Sequence, residues 1–244
     1  MENKNEIQKT QVFNVIILDR SGSMNRIRKA AVDGFNETLA GIKKAQEKFA
    51  DTQDHFVTLV TFCSCEMNSV FNKVPVAEAR PLREEDYVPC CCTPLYDAMG
   101  ITLNAMRKHV KDMDDVAVVV TIITDGLENA SREFNGSSIK ALVEKLRTEG
   151  WTFTYMGANQ DSVEVASSMS IRNARNFDYS SEGARSSMHK DTLTRLNLFG
   201  RIARMKSCES SLNMSKEERQ NAYGKMADEA FDEEEKHVIP YCGS

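Results

Sequence analysis

The sequence predicts an α/β protein with a doubly wound, mostly parallel central sheet, helices on both faces and one edge strand antiparallel. Three observations predict it. Strand-length apolar runs, too continuous to leave a solvent face, alternate with segments whose apolar residues recur at three- and four-residue steps. Two of those runs end directly in an aspartate, Asp19 and Asp125. The 244 residues are 41% apolar and 27% charged, ordinary globular composition that fills the core of one large domain.

The elements follow in order. Val12 to Leu18 reads as a strand buried on both faces. Ile27, Ala31, Phe35, Leu39, Ile42, Ala45 and Phe49 form one stripe of a long helix. His55 to Cys63 is a second strand, and Glu66 to Val76 a third, joined to it by a tight turn. Pro81 to Cys92 is loop with helical turns. Leu95, Met99, Leu103, Met106, Val110 and Met113 mark the next helix, with Thr93 and Pro94 at its N-cap and first turn. Val116 to Thr124 is the most hydrophobic strand. Ile139 to Leu146 is a helix closed by Gly150, and Trp151 to Met156 a strand. Val163 to Met169 is a short helix, Ala174 to Tyr179 an edge strand, and Thr192 to Met205 a final long helix. Ser215 to Asp232 has only a weak helical pattern. The expected organisation is an extension over 1–10, the α/β domain over 11–205 and a helical or flexible tail over 206–244.

Charge and cysteine usage narrow the function. A net charge of −5 and a pI near 5.5 lack the basic footprint of a nucleic-acid binder. Met1 to Gln11 lacks the apolar core of a signal peptide, and no segment is long and apolar enough to span a bilayer. Seven cysteines, three of them consecutive, make a poor disulfide framework and suit a reducing compartment, so the expected location is cytoplasmic.

The chemistry concentrates where parallel sheets place their ligands, beyond the carboxyl ends of the strands. Asp19-Arg20-Ser21-Gly22-Ser23 directly follows a buried strand. Its alternating carboxylate and hydroxyls suit a hard cation, which takes about six oxygens. Thr93 opens a helix, and Asp125 ends another strand, so three distant segments share one rim. The string resembles the Asp-x-Ser-x-Ser metal-ion-dependent adhesion motif of von Willebrand factor A domains. Thr93 in Thr93-Pro94-Leu95 and Asp125 in Thr124-Asp125-Gly126 resemble the threonine and second aspartate of that family. The likeness covers about Val12 to Met205, and the chain resembles an intracellular, bacterial-type member. It implies a metal set of Asp19, Ser21, Ser23, Thr93 and Asp125, holding Mg²⁺, or Mn²⁺ or Ca²⁺. Ser21 and Ser23 would bind directly, Thr93 directly or through water, and the aspartates often through water. An aspartate or glutamate of a partner protein would complete the shell. The implied role is binding without catalysis.

Other readings stand beside this one. Thr93 has a competing use as a helix cap, and Glu128 and Asn129 read as loop structure. Arg20 and Met24 flank the motif as exposed candidates for partner contact. A Mg²⁺-dependent phosphatase also places an aspartate after its first strand, but it needs a second acid two residues on, where this chain has Ser21. Ser21 and Ser23 have no evident histidine partner for nucleophilic catalysis. Cys90-Cys91-Cys92 stands where glycines are common in the family. A thiol-based redox or zinc role is the further alternative, although consecutive cysteines do not readily face one ion, and small packing residues are the blander reading.

Overall fold

A computed structural model describes residues 8–158, 162–177, 181–208, 211 and 213–236. Six strands form one sheet in the order β3-β2-β1-β4-β5-β6. They are β1 (Thr10–Asp19), β2 (Gln53–Cys63), β3 (Glu66–Pro75), β4 (Val116–Thr124), β5 (Thr152–Gly157) and β6 (Asn173–Asn176). All neighbours run parallel except β2 and β3, so the predicted antiparallel edge is β3. The order explains the sequence pattern. β1 lies between β2 and β4, so neither face nor edge meets water, whereas β3 is the largely exposed, polar strand expected of an edge.

Side chains of β1 alternate between two layers. Phe13, Val15 and Ile17 pack with α2 (Leu95–Val110) and α3 (Gly136–Thr148), and Ile16 and Leu18 with α1 (Arg28–Lys48). The predicted α1 stripe from Ile27 to Ala45 is buried along its length. Gly150 follows α3 with a left-handed φ of 81°, the closing conformation that its position predicts. No helix among the described residues is long and apolar enough to cross a membrane.

The differences from expectation have local causes. A 3₁₀ turn, Gly22–Ile27, separates β1 from α1 and turns Met24 into the core, so Met24 is buried rather than exposed. The edge strand expected at Ala174 to Tyr179 is Asn173–Asn176, and 178–180 lie outside the described residues. The short helix α4 is Ser162–Ser168. The next helix, α5, begins at Ser181 and runs to Lys206, well before the expected Thr192. Its polar first half shows no stripe, and Met188 anchors it against the backbone of α1 at Gly34. The weak tail pattern is a helix, α6 (Lys216–Lys236), with a narrow seam of Tyr223, Ala227, Ala230 and Phe231. Three of these share a core with Val12, Val119 and Leu198.

Candidate metal centre

Three chain segments meet at the carboxyl ends of β1 and β4. Asp19 is the last residue of β1 and is fully buried. Its Oδ1 accepts the Ser21 N–H at 2.7 Å, and its Oδ2 accepts the Thr124 hydroxyl at 2.7 Å. Its backbone carbonyl accepts the hydroxyl of buried Tyr87, which fixes the end of the strand. Burial pushes the Asp19 carboxyl up to about 6; the hydrogen bonds offset part of that rise, and the nearby Asp125 charge adds to it.

The turn after Asp19 carries the serines. Ser21 is buried, and its Oγ lies 3.1 Å from Ser23 Oγ. Ser23 donates to Asp125 Oδ1 at 2.6 Å, so the first and third segments are directly joined. Asp125 Oδ2 lies 3.3 Å from Arg26, whose side chain is 63% exposed while the Asp125 side chain is 0% exposed.

Thr93 arrives from the loop before α2. Asn129 grips it at both backbone groups: Thr93 N–H donates to Asn129 Oδ1 at 2.8 Å, and Asn129 N–H donates to Thr93 O at 3.1 Å. The N-cap expectation for Thr93 does not hold. α2 starts at Leu95 with Pro94 in the cap position, placing Thr93 one residue outside the helix. The first N–H groups of α2 are satisfied in trans, Tyr96 by Glu128 Oε2 at 2.9 Å and Asp97 by Ser131 Oγ at 3.0 Å. Glu128 and Asn129 are therefore the loop-building residues expected, and the loop they build positions Thr93.

Gly126 reveals the hollow that these groups surround. A Cβ placed there would lie 3.1 Å from Thr93 Oγ1, 3.3 Å from Ser23 Oγ and 3.7 Å from Asp19 Oδ2. All five predicted residues thus belong to one cluster: Thr93, Ser23 and Asp19 border the hollow, and Ser21 and Asp125 connect through Ser23. Two buried carboxylates and three hydroxyls supply oxygen only, the donor set a hard divalent cation takes. Sequence reasoning missed Thr124 and Tyr87, which hold Asp19. Thr124 had a visible signal, a strand-terminal hydroxyl beside Asp125.

The surroundings are polar and open on one side. Arg20 is only partly exposed, since its guanidinium turns back to Glu66 at 2.8 Å. Exposed Asn25, Arg26 and Leu127 stand around the rim. A groove of about 690 Å³ runs beside it, past Pro94, Asp97 and Ile101.

No protein-family model matches the chain, and no curated protein matches it. Solved structures do. A von Willebrand factor type A protein from Catenulispora acidiphila is 14% identical with a TM-score of 0.54, covering 77% of this chain and 43% of its own. The open pilus adhesin SpaC from Lactobacillus rhamnosus GG is also 14% identical, with a TM-score of 0.55 and 80% and 31% covered. The three N-terminal domains of the type V pili tip protein Mfa5 from Porphyromonas gingivalis give 12% identity, a TM-score of 0.51, and 74% and 49% covered. The chain spans less than half the length of each. The likeness is one of fold: this chain has a von Willebrand factor A-like α/β architecture.

Proposed function

We propose that the rim holds one divalent cation, Mg²⁺ in the first instance, through Asp19, Ser21, Ser23, Thr93 and Asp125, and that the protein uses it to bind an acidic side chain of a partner protein. The hollow at Gly126 carries this reading, because oxygens from three distant segments line a space that one extra carbon would fill. Charge supports it too. Asp19 and Asp125 are buried together, and no cationic side chain pairs with Asp19 among the described residues. Two carboxylates balance one divalent ion, and the hydroxyls add donors without charge. A bound Mg²⁺ supplies positive charge and an open coordination position to an incoming carboxylate. The protein's own residues do the rest. Ser21 and Ser23 present hydroxyls from the turn, Asn129 fixes Thr93, and exposed Leu127 and Arg26 offer contacts around the ion.

The role is binding rather than catalysis. Ser21 and Ser23 bond to each other and Ser23 to Asp125, with no histidine among their partners in the described residues. Six described cysteines are free thiols, in keeping with a cytoplasmic setting.

Thermal unfolding of chelator-stripped protein against rising Mg²⁺ tests the reading. A ligand that binds only the folded state adds about 2.7 kcal/mol at a hundredfold excess over Kd. The wild type is expected to show a saturable rise, and Ser21→Ala/Ser23→Ala none. A flat response in both removes the metal from the mechanism. A positive response justifies a partner search by pull-down with and without Mg²⁺, using Asp19→Ala as the control.

A further inference from the structure

Four thiols gather next to the rim, two at the β2–β3 turn and two in the loop just before Thr93. Cys63 ends β2, and Cys65 lies in the turn into β3. Cys90 and Cys91 lie in the loop that leads to Thr93. Cys63 Sγ is 3.2 Å from Cys90 Sγ, and Cys65 Sγ is 2.7 Å from Cys91 Sγ. The sulfurs of Cys63, Cys65 and Cys90 all lie within 4.8 Å of one another. Around a tetrahedral zinc ion, sulfurs at about 2.3 Å from the metal are roughly 3.8 Å apart. The two pairs, at 3.2 and 2.7 Å, are closer than that spacing, and the group of three sulfurs lies within reach of one ion.

We propose that Cys63, Cys65, Cys90 and Cys91 form a second metal site, made of sulfur alone, that takes a soft or borderline cation, with Zn²⁺ as the first candidate. It is distinct from the oxygen cluster in donors, in position and in the ion it selects.

The backbone explains how neighbouring cysteines serve one site. In extended chain, consecutive side chains point to opposite sides. Cys91 has a φ of 58°, left-handed and uncommon for a residue with a side chain, and this breaks the alternation. Backbone bonds then hold the two thiol pairs together. Cys90 N–H donates to Arg20 O at 2.8 Å, and Gly22 N–H donates to Cys91 O at 2.9 Å. Ser64 N–H donates to Cys92 O at 3.0 Å, and Cys92 N–H donates to Ser64 Oγ at 3.1 Å. The cysteine loop is thus stitched both to the turn after β1 and to the turn after β2.

Exposure argues against simple packing. Cys65 and Cys91 are exposed, so they do not fill the core, and only Cys63 is buried. Charge suits thiolates here. An Arg20 guanidinium nitrogen lies 3.7 Å from Cys63 Sγ, and a zinc ion with four thiolates carries a net negative charge that this cation offsets. Among the described residues Cys92 belongs to no thiol pair, which makes it the internal control.

The test is optical titration of the reduced, metal-stripped full chain with Co²⁺, followed by displacement with Zn²⁺. Thiolate-to-cobalt charge transfer cannot come from oxygen ligands, and intense d–d bands report the tetrahedral geometry. One equivalent of Co²⁺ is expected to develop them, and one equivalent of Zn²⁺ to abolish them. Excess Mg²⁺ and the Ser21→Ala/Ser23→Ala variant should leave them unchanged. The exposed pair Cys65→Ser/Cys91→Ser, with folding checked by circular dichroism, should weaken binding by more than roughly a hundredfold, beyond the usual cost of losing an outer-shell partner. Cys92→Ser should bind as the wild type does. Absence of the charge-transfer band in the wild type overturns the proposal, as does its survival in Cys65→Ser/Cys91→Ser. So does a reduced protein that takes no Co²⁺ but forms a Cys65–Cys91 disulfide on mild oxidation, which would make the cluster a redox pair.

Discussion

Asp115 and Asp19, at opposite ends of the sheet, are buried in opposite ways. At the amino-terminal end, Asp115 precedes β4 and is buried, with Lys206 of α5 paired to its Oδ2. Its Oδ1 accepts the Tyr223 hydroxyl of α6 at 2.7 Å, and Tyr223 in turn meets Thr10 Oγ1 at 3.2 Å. At the carboxyl end, Asp19 is equally buried, but among the described residues its hydrogen bonds come from neutral groups, Ser21 and the Thr124 hydroxyl. The first carboxylate has its cation in the chain and closes the structure. The second raises its own proton affinity instead, as a buried acid without a cation does. The same residue type at the same depth is structural at one end and a candidate ligand at the other, and the difference is whether the chain itself supplies the positive charge.

Mutations can break or sharpen this contrast. The largest effect is expected from Lys206→Met, which leaves Asp115 buried without its cation. Losing one partner of a buried pair costs on the order of 3 to 5 kcal/mol, read from urea unfolding. A harmless Lys206→Met would erase the distinction between the two ends.

Asp19→Asn should act in the opposite sense. The folded-state pKa of Asp19 is raised from 3.8 to about 6, so the folded state holds the proton more tightly than the unfolded chain. Stability from this group is complete below 3.8 and is lost as pH rises through about 6. In metal-stripped protein, Asp19→Asn is therefore expected to gain up to about 3 kcal/mol over wild type at neutral pH, and nothing in acid. Paired unfolding curves across that window measure it. A variant less stable than wild type at neutral pH would mean that the rim satisfies its carboxylate without a cation.

The smallest effect belongs to Asn129→Ala. It removes one hydrogen bond to the Thr93 backbone, worth about 1 kcal/mol. Because Thr93 is then less fixed, Mg²⁺ affinity should fall by more than the stability change implies, which titration of wild type and variant would separate. Equal changes in both would reduce Asn129 to an ordinary loop residue.

Much of the rim was legible because it is written at element ends. A buried run that stops at Asp19, another that stops at Asp125, and a helix that starts after Thr93 define one edge of a parallel sheet. What supports the rim was not legible. Asn129 reaches Thr93 and Thr124 reaches Asp19 across long stretches of sequence, and periodicity reports only on one element at a time. Met24 was misread because a 3₁₀ turn follows β1 and changes the direction of the side chain. α6 looked weak because its seam holds two alanines and two aromatics, and its place became evident only against Val12 and Val119. The cysteine run left its partners open for a geometric reason. Extended backbone forbids adjacent thiols from converging, and nothing in composition announces the left-handed turn at Cys91 or the partners Cys63 and Cys65.

The placement of β1 also has a mechanical side. Tension applied at the turn after Asp19 enters the sheet along the axis of its central strand. That strand is bonded on both sides, to β2 through Asp19 and to β4 through Leu18. Parallel ladders carry evenly spaced bonds, so a pull along the axis loads them in shear, all together, rather than unzipping them in turn. At the far end, Tyr223 of α6 bonds the first residue of the same strand. A partner seized at the rim would therefore pull along a strand braced on both sides and at its far end.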